Sequence, residues 1–246
     1  MARRRGHDAN DERAMSGPAP RVAWSAADPP LDWPDYRSTR LRHPKQPLVH
    51  LPDDAADLTG PRLGHLRPGG LDHDLTTGGP IGERITVSGR LLDVDGRPIR
   101  DSLVEIWQAN AAGRYRHGRD AWAAPLDPGF TGAGRTVTDR EGRWSFTTIK
   151  PGPYPWRNHR NAWRPAHIHF SLFGRSFEQR LVTQMYFPAD PLLPQDPISG
   201  SVRDPAARER MVARFSLGTS QENWALAYEW DIVLGGRAAT PIDEAR

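Results

Sequence analysis

Apolar and polar residues alternate with a period of two along several stretches of this chain, the signature of half-buried strands. Ile85-Thr-Val-Ser-Gly-Arg-Leu-Leu alternates and runs into Asp93-Val-Asp-Gly-Arg-Pro, which has the composition of a hairpin turn. Ser102–Ala109 (SLVEIWQA) reads as the returning strand. After a glycine-rich loop, Thr136-Val-Thr leads into the turn Asp139-Arg-Glu-Gly. Arg143–Ile149 follows, with Trp144, Phe146 and Thr148 on one face. Ala166–Phe173 alternates again, setting Ile168, Phe170 and Leu172 on a core-like face opposite His167 and His169. Gln179–Phe187 predicts a strand with Val182, Gln184 and Tyr186 on one side. Trp224–Leu234 predicts the last strand, with Trp224, Leu226, Tyr228, Trp230 and Ile232 in register. One helix is predicted over Asp204–Phe215, where Asp204 is a cap and Pro205 suits the first helical position. Roughly seven strands with turn signals between them imply a single β-sandwich of antiparallel or mixed strands, with long loops and one short helix in the C-terminal half.

The residues before these strands have another character. Residues 1–20 are polar, end in Gly-Pro-Ala-Pro, and predict a disordered tail. Over 21–82 no period persists, and Pro29, Pro30, Pro34, Pro44 and Pro47 favour an extended arm and loops packed on the core or on a partner. Within it, Asp72-His73-Asp74 invites a metal reading, since carboxylate and imidazole are both ligands. The same groups cap turns in irregular loops, and that reading is preferred. The sandwich occupies 83–246, with neither an internal boundary nor a repeat.

Composition narrows the functions. With 24 prolines and 23 glycines in 246 residues, the chain suits a β domain with long connections. The net charge of +3 is small, and the arginines are interspersed with acids. Arg3-Arg4-Arg5 is the one basic run, so neither the footprint of a nucleic-acid partner nor that of a membrane is present. A mild positive field favours small anionic substrates. The absence of cysteine excludes thiolate zinc sites, iron–sulfur clusters and disulfides. No apolar run approaches a membrane span and no hydrophobic segment follows the arginine run, so a cytoplasmic location is expected.

Any metal must therefore be held by histidine, carboxylate or phenolate. His167 and His169 share a strand face and can chelate one ion. His-x-His alone has several readings. A cupin places a glutamate three or four residues further on, where Leu172 and Phe173 stand here. A zinc hydrolase adds a third histidine or a carboxylate, and none lies at a telling distance. Two tyrosines offer another donor type. Tyr154 sits between Pro153 and Pro155 in a restricted loop thirteen residues before His167, and Tyr115 follows the strand Ser102–Ala109. Phenolate is a hard anionic donor, and ferric iron gains most from it. Either tyrosine also reads as a hydrogen-bonded core residue.

At these residues a resemblance becomes specific. VEIWQANAAGRYRH, IKPGPYPW and WRPAHIHFS together resemble the intradiol ring-cleavage dioxygenases. The likeness continues from Pro34-Asp-Tyr-Arg through His65-Leu, Asp72-His-Asp-Leu and Gly79-Pro-Ile-Gly-Glu-Arg-Ile to Tyr228-Glu-Trp-Asp-Ile-Val-Leu. The spacing from Tyr154 to His167 is similar to that of the two-subunit branch. The branch acting on catechol and chlorocatechol has a longer segment there and an N-terminal helical domain.

The resemblance implies one Fe(III) per chain, bound by Tyr115, Tyr154, His167 and His169. It implies a catalytic part for Tyr154 as the phenolate that leaves the metal and takes a proton, for Arg164 as a charge near the ring, and for Gln184 beside them. Tyr36, Trp156 and Ile198 would line the substrate pocket. The implied reaction is cleavage of protocatechuate by O2 to 3-carboxy-cis,cis-muconate, in the β-ketoadipate route of aromatic catabolism. The implied partner is a homologous α subunit that lacks iron, joined to this β-type chain in an αβ protomer. A non-enzymatic reading stands beside it. Thr138-Asp-Arg-Glu-Gly-Arg-Trp-Ser-Phe and Ile149-Lys-Pro-Gly-Pro-Tyr are also similar to transthyretin-like binding modules, which have no reason to keep all four ligands.

Overall fold

The computed structural model describes residues 28–47, 72–156, 162–173 and 180–242. The tail over 1–20, His65 and Gln179 lie outside the described residues. A four-residue helix, α1 (Thr39–Arg42), lies in the arm. β1 (Arg84–Leu92), β2 (Leu103–Trp107) and β4 (Arg143–Ile149) follow where the alternation predicts them, while β3 (Ala133–Val137) begins three residues before Thr136, in the stretch read as a glycine-rich loop. A short ribbon, β5 (Tyr154–Pro155) and β6 (Trp163–Arg164), precedes β7 (His167–Phe173) and β8 (Arg180–Tyr186). Two short helices, α2 (Pro197–Ser201) and α3 (Pro205–Glu209), lead to β9 (Arg214–Phe215), β10 (Leu226–Glu229) and β11 (Ile232–Val233).

The strands form a mainly β, mixed two-sheet sandwich. In the first sheet β1 is flanked by antiparallel β4 on one side and by parallel β10 and β11 on the other, with β9 outside β10. The second sheet is antiparallel throughout, in the order β3-β2-β7-β8. Ile85, Val87, Leu91 and Phe146 from the first sheet form one cluster with Val104, Ile106, Ile168, Phe170 and Leu172 from the second. Phe170 is central: its ring lies 5.2 Å from that of Trp144 and 4.9 Å from that of Trp230. Burial of such a side chain contributes about 1.5–3 kcal/mol. Of the segment read as a possible metal site, Asp74 accepts from the Thr76 N–H and hydroxyl at 2.8 and 2.6 Å, and His73 O accepts from Thr147 N–H at 2.8 Å. It is used as a turn laid on β4.

Two elements depart from the periodicity. Trp224–Leu234 divides into β10 and β11, which keep one register on β1, with Leu226 opposite Ile85 and Ile232 opposite Leu91. Between them the Asp231 carboxylate, rather than a ladder carbonyl, accepts from Arg90 N–H at 2.8 Å. The Trp230 carbonyl oxygen also presses on Gly89, where a Cβ would lie 1.8 Å from it, so only glycine fits mid-strand. Trp224 and Leu226 are 42% and 38% exposed, whereas Tyr228, Trp230 and Ile232 are buried.

The helix expected over Asp204–Phe215 ends at Glu209. Asp204 caps it, accepting from Ala206 N–H at 3.0 Å. After Arg210 the backbone is taken up by β8: Tyr186 N–H donates to Met211 O at 2.8 Å, and Ala213 N–H donates to Tyr186 O at 2.9 Å. Helical propensity yields here to sheet pairing.

Candidate metal centre

The site is built on the outer face of the second sheet. Ile168 and Phe170 point into the core with none of their surface exposed, so alternation along β7 puts His167 and His169 on the other side. Across the ladder His167 faces Tyr186, while His169 faces Gln184 on one side and Trp107 on the other. Trp107 lies flat against His169, with ring centroids 4.8 Å apart and planes within 2°. The two imidazoles are 4.9 Å apart at 77°, so they are not stacked on each other and can aim at a common point.

Two loops bring the tyrosines over this floor. Gln108, at the end of β2 and fully buried, donates to Ile149 O at 2.8 Å and accepts from Thr148 Oγ1 at 2.9 Å, tying the end of β2 to the end of β4. Asn110 then shapes the turn: its Oδ1 accepts from Ala112 and Arg114 N–H at 3.0 and 2.9 Å. Its carbonyl accepts from Gly113 and Gly152 N–H at 2.9 and 3.0 Å, one in each loop. Gly113 has a positive φ of 76°, and a Cβ there would lie 2.2 Å from Pro153 O. Contact between the loops therefore requires glycine. Tyr115 N–H donates to Asp120 Oδ2 at 2.8 Å, and Tyr154 is held in the ribbon opposite Arg164.

The hydroxyl oxygens of Tyr115 and Tyr154 stand 3.5 and 3.3 Å from His167 Nε2. His167 Nδ1 lies 2.7 Å from Pro165 O, a pure acceptor, so Nδ1 carries the proton and Nε2 keeps its lone pair. Burial first, then the charges of Arg164 and His169, push the His167 pKa well below the usual 6.5, against the opposing effect of the Pro165 bond. The ring is therefore neutral, as a ligand must be.

These residues fit a metal. Two donors each about 2 Å from one ion lie about 3 Å apart, close to the separations found here. A carbonyl on the far nitrogen is the usual support of a ligating histidine. Among the described residues no group of three His, Asp or Glu side chains is placed to hold a cation, so the donor set is imidazole plus phenol. Such a set favours a hard, trivalent ion.

Beside the dyad, Arg164 is buried in a polar network. Its Nε donates to Asp196 Oδ1 at 2.7 Å, and its Nη2 donates to Gln184 Oε1, to Tyr186 OH at 3.2 Å and to Asp196 Oδ2 at 3.2 Å. Its guanidinium lies 5.3 Å from the centroid of the Trp156 ring, and Trp156 meets Tyr36 edge-on at 5.0 Å. The arm thus reaches the site through Tyr36, which is buried. Ile198 is buried in α2, which Asp196 caps.

The nine residues singled out from the sequence lie on the sheet face, the loop after β2, the ribbon and its next residue, the arm or α2. Sequence reasoning missed Trp107, Gln108, Asn110, Tyr186 and Asp196. Two signals were present. Trp107 is an aromatic on the strand face it shares with Glu105, and Asp196-Pro197 has the same cap-then-proline form as Asp204-Pro205.

Comparison with known proteins shows the family. The family model described as "Dioxygenase" matches residues 58–236, and that described as "Protocatechuate 3,4-dioxygenase beta subunit N terminal" matches 23–53. The chain belongs to the intradiol ring-cleavage dioxygenase family, whose members use iron. More particularly, it is 57% identical over 227 residues to the protocatechuate 3,4-dioxygenase beta chain of Burkholderia cepacia, covering 87% of this chain and 96% of that one. It is 32% identical over 161 residues to the alpha chain of the enzyme from Pseudomonas putida, covering 65% and 75%. Among solved structures, the 3-chlorocatechol 1,2-dioxygenase of Rhodococcus opacus 1CP shares the fold, with a TM-score of 0.51 and 23% identity over 70% of this chain and 69% of that one. No helix among the described residues is long and apolar enough to cross a membrane.

Proposed function

We propose that this chain binds one Fe(III) through Tyr115, Tyr154, His167 and His169 and is the catalytic subunit that cleaves protocatechuate between its hydroxylated carbons with O2. The product is 3-carboxy-cis,cis-muconate, which places the step in aromatic catabolism. The carrying observation is the approach of both phenolic oxygens to Nε2 of a histidine whose other nitrogen is already bonded to Pro165 O. The 57% identity to a protocatechuate 3,4-dioxygenase beta chain supports the substrate.

When bound, ferric iron supplies the Lewis acidity that favours the catechol dianion and readies its ring for O2. The chain's residues do the rest. Tyr154 Oη takes a proton from the incoming catechol. Tyr115 is held by the Asn110 turn and stays in place. The Pro165 carbonyl keeps His167 in its ligating tautomer, and the Trp107 ring fixes the plane of His169. Arg164 sets a buried positive charge beside the ring as negative charge develops there, with Gln184 as its neighbour. Trp156, Tyr36 and Ile198 wall the ring and exclude water. The partner in this reading is a homologous α subunit, supported by the likeness to both an alpha and a beta chain.

Iron loading is expected to turn the protein burgundy red through phenolate-to-Fe(III) charge transfer. Oxygen uptake, measured with and without the α partner, is expected to follow protocatechuate in preference to catechol or hydroxyquinol. A colourless, fully iron-loaded protein refutes the ligand set. A red protein that consumes no oxygen with any of the three refutes the reaction.

A further inference from the structure

One carboxylate holds several parts of the site at once. Asp196 and Arg164 form an ion pair whose side chains are 0% and 3% exposed. Besides the two bonds from Arg164, at 2.7 and 3.2 Å, Asp196 accepts from Tyr186 OH at 2.7 Å and from Ser199 N–H at 3.3 Å. The last bond caps α2, the helix that carries Ile198. The Tyr186 hydroxyl oxygen also lies 3.1 Å from Gln184 Oε1, and its ring lies 6.1 Å from that of His167. A two-point carboxylate fixes the plane and roll of a guanidinium as well as its position. Asp196 supplies a buried negative charge on which two of the guanidinium's bonds end, so losing that charge costs the ion pair directly.

We propose that Asp196 is the positioning residue for Arg164. Its carboxylate orients the guanidinium so that Nη2 meets Gln184 and the plane covers Trp156, and through the α2 cap it sets the Ile198 wall in the same frame. The proposal rests on the reading above, in which Arg164 faces the developing charge of the ring. Asp196 touches neither substrate nor metal; it acts through Arg164.

The test uses Asp196→Asn, which keeps an acceptor and the cap but loses the charge, and Tyr186→Phe, which removes one hydroxyl. In the iron-free protein, nitrogen-resolved proton NMR is expected to show one slowly exchanging arginine Nε–H, assigned by its loss in Arg164→Lys. Asp196→Asn is expected to abolish its protection. In the iron-loaded enzyme, Asp196→Asn is expected to lower kcat by about 10- to 100-fold with KM nearly unchanged, since the misplacement is felt where charge develops. Its iron content and resting colour are expected to equal those of the unaltered chain.

Persistence of the protected Nε–H in Asp196→Asn overturns the proposal, as does an unaltered kcat. Loss of iron and colour in that variant also overturns it, because Asp196 would then be maintaining the metal site. If Asp196→Asn does not fold, Tyr186→Phe decides: a fall in kcat of roughly 3- to 10-fold at constant KM supports the proposal, and an unaltered kcat overturns it. If the unaltered chain itself neither colours nor cleaves, the proposed function has failed. The NMR comparison then still judges the pairing of Asp196 with Arg164.

Discussion

Gly113 is one of the residues through which the two tyrosine loops touch, and replacing it with alanine tests how the site is spaced. Two costs add. A non-glycine residue in the left-handed region costs about 1–2 kcal/mol. The new Cβ would also lie 2.2 Å from Pro153 O and 3.1 Å from Tyr154 Cβ, so one loop must retreat. The retreat is about 1 Å in a region where nothing is soft, and such overpacking costs about 1–3 kcal/mol. Gly113→Ala is therefore expected to lower stability by roughly 2–5 kcal/mol, or to lower Tm by roughly 4–20 °C for a domain of this size. The retreat separates Tyr154 from Tyr115, whose hydroxyls both lie within 3.5 Å of His167 Nε2. Iron content and the visible band are expected to fall, and kcat with them, by about 100-fold. Gly118→Ala in the same loop is the control: its Cβ meets nothing within 4 Å, so its melting and iron content are expected to match the unaltered chain. Thermal melts of the iron-free protein, metal analysis and visible spectra of the loaded protein suffice. A Gly113→Ala chain with full iron, an unaltered band and an unaltered Tm refutes the view that loop contact spaces the phenols.

Other perturbations probe other parts. Tyr115→Phe and His167→Ala are each expected to abolish ring cleavage and bleach the colour; turnover retained in both rejects them as ligands. Gln108→Leu strands Thr148 Oγ1 and Ile149 O, each at a cost of about 1–3 kcal/mol, so denaturant unfolding is expected to shift accordingly. Glu229 has its pKa held below the usual 4.5, chiefly by the Ser216 hydrogen bond, with Thr219 and Arg214 assisting against desolvation. A depressed carboxylate adds stability above 4.5 that is lost as pH falls through its folded value. Melts of Glu229→Gln are therefore expected to be less acid-sensitive below pH 4.5 than those of the unaltered chain, and equal sensitivity rejects this assignment.

Much of the framework can be read from the chain because β alternation is a local property. Ile168, Phe170 and Leu172 face the core and the two histidines face away, as the period requires. The tyrosines and Arg164 are legible through long motifs. What local patterns cannot show is register. Trp107 meets His169, and Gln184 stands beside the same ring, because β2, β7 and β8 are paired in one particular alignment. Asp196 meets Arg164 across a separation of 32 residues. The break at Trp230-Asp231 has the same origin: it depends on Gly89 and Arg90 of a strand distant in sequence. The short α3 is a case of competition, since β8 offers the backbone of Met211 and Ala213 partners that a longer helix would forgo.

The placement of the site outside the sandwich divides the labour within the molecule. The floor is one sheet surface, made rigid by a hydrophobic interior that takes no part in the chemistry. The roof is an assembly of separate pieces: a ribbon of two short strands, one helical turn and a segment of the arm. Such a building can be re-roofed one tile at a time. On the proposed function, substitutions in α2 or in the arm would alter the shape offered to a ring while the residues assigned to the ion stay as they were, so appetite for new aromatic compounds would change without refolding the interior.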